Sequence, residues 1–99
     1  MIPFDAAKAE PGTILRGIDA STLLAGHEPL KRSRIDDQHK LIARKVTRFD
    51  MIEVNTAGVI LSGNHGARAA AEAGVPVDVL VSNFPMPSCG PILDVATIP

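Results

Sequence analysis

The chain has 99 residues, 45% hydrophobic and 21% charged, with a formal net charge of -1. That length supports a single domain, residues 1–99, with one modest core that buries somewhat over ~60% of the unfolded surface. No apolar run approaches the ~18 residues of a membrane span, Cys89 alone leaves neither a disulfide nor a cysteine-based zinc cluster, and three Phe with no Tyr or Trp argue against a base-stacking platform.

Residues 1–12 carry two prolines and little periodicity and read as an arm; no basic-then-apolar secretion signal is visible, and Met1-Ile2-Pro3 suits the start of an excised domain. Thr13 to Asp19 alternates loosely, as a strand that turns near Ala20-Ser21. Gly26-His27-Glu28-Pro29 reads as a loop. Ile35, His39, Ile42 and Val46 then recur at helical spacing, which predicts a helix over 35–46 with Asp36 and Asp37 near its start. Asp36, Lys40 and Arg44 fall at steps of four and predict an ion-pair row.

Met51 to Val54 and Gly58 to Leu61, joined by Asn55-Thr56-Ala57-Gly58, predict a β-hairpin. Ala67 to Ala73 is rich in the best helix former and stops at Gly74. Val77 to Val81 predicts a strand, and the Pro-rich tail over 83–99 reads as irregular, with a short extended piece around Ile92 to Val95. Strand, helix, hairpin, helix and strand in that order define a small α+β domain with a mixed sheet.

Charge is unevenly spread. Seven of the ten basic residues lie between Lys31 and Arg48, opposed there by Asp36 and Asp37 alone. A basic segment on an acidic body is either an anion-binding face or a solvated helix surface.

The stretch Ser62-Gly63-Asn64-His65-Gly66 stands between a strand and a helix. Backbone N–H groups at a helix start lack intrahelical partners and point outward with the positive end of the helix dipole, which suits phosphate. Gly63 and Gly66 let the backbone approach an anion or adopt φ > 0. Asn64 can cap or donate, and His65 can donate, accept or act as acid/base. Arg68 falls in the first helical turn, where the dipole disfavours a cation by ~0.3–1 kcal/mol and a bound anion would reverse the sign. The competing local reading makes Asn64 an N-cap, Gly66 a packing glycine and Arg68 the partner of Glu72.

The segment VILSGNHGARAAAEAGVPVDVLV resembles the second conserved box of the ParB/sulfiredoxin-like superfamily. There a strand ends in Gly-Glu-Arg-Arg or Gly-Asn-His-Arg, an Arg-Ala-Ala helix follows, and a Val-Pro-Val strand closes the unit. Gly63, Arg68, Ala69, Ala70, Gly74, Pro76 and Val77 fit that pattern, and the layout of residues 13–82 is similar to the fold as a whole. The resemblance implies a phosphate-binding loop of Ser62, Gly63, Gly66 and Arg68, with Arg32 or Arg34 facing it before the first helix, and His65 and Asn64 as the catalytic pair. It implies action on nucleic acid or a nucleotide, with Mg²⁺ and nucleotide as the cofactors left open. It also implies the toxin module of a larger secreted bacterial protein, acting in a target cytoplasm and opposed by an acidic immunity protein; the lack of a long apolar run argues against a membrane partner. The family commonly has Arg where this chain has Gly66, so either that phosphate contact is absent or Arg68 or an arginine of the basic segment replaces it.

A non-catalytic nucleotide- or DNA-binding module is the alternative, and a redox role for Cys89 a third reading. The sulfiredoxin-type reactive cysteine sits in the phosphate loop, whereas Cys89 stands well downstream among prolines, which reads as a buried or incidental thiol. His39 falls on the apolar helix face and reads as a core or boundary residue. His27-Glu28, Asp50 and Glu53 remain as candidate acid/base groups, and no zinc spacing or Ser-His-Asp order is present.

Overall fold

Val77, Val79 and Val81 turn inward along one strand while Asp78 faces out, and that alternation sets the sheet around which the chain is built. The structure is a computed structural model that describes residues 1–44 and 51–99. In chain order it contains β1 (Ile14–Asp19), β2 (Leu30–Lys31), α1 (Arg32–Ala43), β3 (Ile52–Asn55), β4 (Ile60–Ser62), α2 (Asn64–Ala73), β5 (Pro76–Ser82) and β6 (Thr97–Ile98), with 3-10 turns at Ala6–Lys8 and Ala20–Thr22.

Four strands form one mixed sheet in the order β1-β5-β3-β4. β1 runs antiparallel to β5, β5 parallel to β3, and β3 antiparallel to β4 in the expected hairpin, with Val54 opposite Ile60. Asn55 shapes the hairpin turn: its Oδ1 accepts from the N–H groups of Ala57 and Val59, both at 3.0 Å. Helix α2 crosses from β4 to β5 and packs on α1, β3 and β5. Its alanines make this close: Ala67 and Ala69 are fully buried, and neither holds the helices apart with side-chain bulk. Ile35, Ile60, Val54, Val79 and Leu23 complete the core. The domain is the expected α+β type with a mixed sheet, a hairpin and two helices.

Several boundaries differ from the sequence reading. Helix α1 begins at Arg32, one turn before the first periodic apolar residue, so Arg32 and Arg34 lie inside it and Asp36 and Asp37 fall beyond its first turn. The hydrophobic period marks only the turns that touch the core, and the first turn contributes Ile35 alone. The expected row from Asp36 to Lys40 and Arg44 is replaced by Arg32–Asp36 at 3.0 Å and Lys40–Asp37 at 3.8 Å. The end of the expected helix (Lys45 and Val46), together with Arg48 and Asp50, lies outside the described residues. Helix α2 starts at Asn64, not Ala67, and ends in a Schellman turn at Gly74, where Val75 N–H donates to Ala70 O at 3.1 Å and Gly74 N–H to Ala71 O at 3.4 Å.

The two ends of the chain are not loose. Ile2 bridges Ile18, with Ile2 N–H donating to Gly17 O at 2.9 Å, so the N-terminal arm covers the outer edge of β1. Phe4 packs over Gly58. The tail folds back: Ile92 and Val95 are buried around a turn rather than extended, and β6 pairs in parallel with β2. Cys89 is exposed.

Candidate functional site

Strand β4 delivers Ser62 to the sheet edge, and Gly63 then turns the chain into α2 at φ +95°, a left-handed conformation that a glycine adopts without a Cβ penalty. Gly63 is the N-cap, and among the described residues no side chain caps this terminus. The first helical N–H with a partner is that of Ala67, which donates to Gly63 O at 2.9 Å. The N–H groups of the first turn therefore remain available at the positive end of the helix.

Residues 62–66 line a cavity of about 460 Å³ between α1 and the start of α2. Other polar lining comes from His27, Arg34 and Gln38, and apolar lining from Leu41, Ile52 and Val77 among others. Arg34 from α1 and His65 from α2 thus meet at one opening, with His27 contributed by the loop before β2. The His27 and His65 rings lie 5.9 Å apart, centre to centre, tilted by 56°.

His65 is oriented by a backbone contact. The N–H of Lys31 donates to His65 Nε2 at 3.1 Å. Nε2 must then be the unprotonated nitrogen, so the neutral ring carries its proton on Nδ1. Burial, and then the positive charge of Arg34 and the neighbouring His27 and Lys31, lower the His65 pKa below its ordinary value of 6.5. Neutral and donating from Nδ1, the ring is suited to hydrogen-bond an anion; the lone pair on Nε2 is already used.

Asn64 is nine-tenths buried and acts as a joint. Its Oδ1 accepts from Gly26 N–H at 3.0 Å, tying the His27 loop to the head of α2. Gly26 itself has no room for a side chain, because a Cβ there would overlap the Ile60 carbonyl. Gly66 faces Gln38: a Cβ at Gly66 would stand 3.3 Å from Gln38 Oε1. A larger side chain at Gly66 would have to displace Gln38.

Arg32 and Arg68 are placed elsewhere. Both converge on Glu72, with Arg32 Nη1 donating to Oε2 at 2.7 Å and Arg68 Nε at 2.9 Å, while His39 Nε2 lies 2.7 Å from Oε1. Arg68 Nη1 also donates to the carbonyls of Ile92 (2.9 Å) and Val95 (3.1 Å). Arg32 foremost, and then the hydrogen bonds from His39 and Arg68, hold the Glu72 carboxyl far below its usual range, and Glu72 together with Asp36 raises Arg32. Arg68 therefore has the local partner its spacing offered, and His39 is half-exposed, with its Nε2 at the Glu72 carboxylate.

The structure thus brings together Ser62, Gly63, Asn64, His65, Gly66 and Arg34, and turns Arg32 and Arg68 toward Glu72. Gln38 and the Lys31 N–H were missed from sequence. Gln38 stands four residues after Arg34, a spacing that points to a shared helix face only once the helix is known to begin at Arg32. Glu28 Oε2 accepts from Ala96 N–H at 3.3 Å, and Glu53 sits opposite Ser62 in the hairpin. Among the described residues no group of three His, Cys, Asp or Glu is placed to hold a metal, and no carboxylate lines the cavity.

Comparison with known protein families, with curated proteins and with solved structures gives no match.

Proposed function

We propose that this chain is a phosphate-binding domain of the ParB/sulfiredoxin-like kind, acting on a nucleotide or a nucleic-acid phosphate. The observation that carries the reading is the uncapped α2 terminus behind the left-handed Gly63, which lines the same cavity as Arg34 and His65. Backbone N–H groups and the helix dipole supply a fixed positive potential, and Arg34 adds a full charge from a second helix. His65 Nδ1–H is the neutral donor for the phosphoryl oxygens. In an enzyme the same donors would stabilise charge that develops on the phosphoryl group. Among the described residues the lining includes no carboxylate to hold Mg²⁺, and no step is assigned to that ion.

A short phosphate ligand fits better than a long polyanion track. Arg32 is neutralised by Asp36 and Glu72, Arg68 by Glu72, and Lys40 faces Asp37. Within the basic segment that suggested a backbone-binding face, Arg32 and Lys40 are thus tied to acidic partners among the described residues, which interrupts the run of cations. The use of His65 Nε2 by Lys31 favours a second reading, a nucleotide-binding module without chemistry, because it occupies the nitrogen a general base would need. The bacterial toxin role with an acidic immunity partner belongs to the first reading and stands or falls with turnover.

The test incubates wild type and His65→Ala with nucleoside mono- and triphosphates, RNA and plasmid DNA, with and without Mg²⁺, and resolves the products while binding is followed by calorimetry. Turnover that collapses in His65→Ala supports the enzyme. Binding without turnover, weakened by Arg34→Gln, supports the module. Absence of both rejects a phosphate site.

A further inference from the structure

His65 takes its geometry from a part of the chain far from it in sequence. Lys31, whose N–H holds His65 Nε2 at 3.1 Å, belongs to the two-residue strand β2. A strand this short has little stability of its own. It is fixed from the C-terminal side: Leu30 pairs with Thr97 and Lys31 with Ile98, and Leu30 N–H donates to Ala96 O at 2.9 Å.

That C-terminal segment is in turn anchored at several points. Ile92 is fully buried and its N–H donates to Leu23 O at 3.0 Å. Arg68 Nη1 grips the carbonyls of Ile92 and Val95, and Ala96 N–H reaches Glu28 Oε2. Arg68 comes from α2, the helix that carries His65 one turn earlier. A closed mechanical loop results, running from α2 through Arg68 to the tail, from the tail through β6 to β2, and from Lys31 back to His65 on α2.

We infer that residues 91–98 act as a positioning strap that selects the Nδ1–H tautomer of His65, with Arg68 as its buckle. In a parallel pair successive backbone groups alternate in direction, so with Leu30 bonded to the tail the next N–H, that of Lys31, is aimed the other way, at the imidazole. The tautomer of a histidine is set by the hydrogen bond that its other nitrogen makes. Slackening the strap removes the Nε2 partner and lets the ring return to the mixture of free histidine. Among the described residues, the charged and titratable groups that face His65 are Arg34 from α1, His27 from the preceding loop and Lys31 from β2. None of these lies in the strap, so a change on cutting it reports the hydrogen bond and not a deleted charge.

The inference is independent of whether the cavity binds phosphate. The test uses ¹⁵N-histidine-labelled protein, with the His65 signals assigned by their loss in His65→Gln and the tautomer read from long-range proton–nitrogen correlations. Wild type near neutral pH is expected to show a single His65 form, protonated at Nδ1. Ile98→Pro takes an N–H out of the two-residue ladder while leaving Ile92 and Val95 in the core. It is expected to give a tautomer mixture and a titration midpoint that moves upward toward ~6.5. A chain ending at Val95 serves as the second variant, should the proline disturb folding. A merely structural strap would lower the melting temperature and leave the tautomer of the folded protein unchanged; that result, or a wild-type ring protonated at Nε2, overturns the inference. A wild-type Nδ1–H ring in a protein that fails to bind inorganic phosphate would reject the functional reading and leave the strap standing.

Discussion

Two glycines three residues apart have opposite requirements. Gly63 sits at φ +95°, and a Cβ there would lie 3.2 Å from Ile52 Cγ1, so Gly63→Ala meets both backbone strain and a packed side chain. Left-handed geometry costs an L-residue roughly 1–2 kcal/mol, and denaturant unfolding of Gly63→Ala should show a loss of at least that size. Gly66 has no such φ and meets only the mobile end of Gln38, so Gly66→Ala should change stability by no more than ~0.5 kcal/mol. At His65 the pKa in the fold lies below 6.5, because burial and the neighbouring cations disfavour the charged ring. Its contribution to stability is therefore complete above pH 6.5 and is lost as pH falls through 6.5 toward the depressed value. Urea midpoints from pH 7.5 down to 5 should fall more steeply for wild type than for His65→Gln; parallel curves would show that His65 titrates normally.

Between elements, the joint of α1, α2 and the tail is one carboxylate. Glu72 takes Arg32 from α1 and Arg68 from its own helix, and Arg68 extends the contact to the tail. Removing the charge leaves two guanidinium groups facing each other, so Glu72→Gln should cost about 1–2 kcal/mol, with the m-value unchanged. The Glu72 pKa is depressed in the fold, which makes its contribution present above the unfolded value of 4.5 and lost as pH falls below it. The gap between wild type and Glu72→Gln should accordingly narrow in acid. A gap that persists undiminished at pH 3 would show that the cluster owes little to charge. Helix α1 also shows why its start was not legible: the helix gains its first turn from the Glu72 contact of Arg32 and from β2 ending at Lys31, neither of which leaves a hydrophobic period.

For the molecule as a whole, both chain ends are part of the fold. Ile2 completes the β1 edge, and Ile92 fills the core beneath the strap. Truncating a fully buried isoleucine to alanine costs about 2–5 kcal/mol, a large share of the ~5–15 kcal/mol available to a domain of this size. Ile92→Ala should therefore lower stability by that amount in one cooperative transition seen equally by circular dichroism and by the NMR signals of Ala69 and Val79. An early separate transition confined to residues 89–98 would instead make the tail a detachable flap.

The hairpin at Asn55 to Gly58, the β5 strand and the Gly74 helix stop were legible because each rests on local physics: turn chemistry, side-chain alternation and a left-handed glycine. The glycine-flanked Asn-His stretch marked the head of α2 for the same reason. Which charges stand free there was decided by the tertiary structure, because pairing depends on which elements meet. Arg68 and Arg32 went to Glu72, Arg34 stayed at the cavity, and Asn64 became a joint to Gly26. The tautomer of His65 depends on a bond to Lys31, 34 residues away in sequence, and on a two-residue strand pairing too short to leave any periodic trace. Local backbone preference is written residue by residue in the chain; the partner of a charge or a ring nitrogen is set only when distant segments are brought into contact.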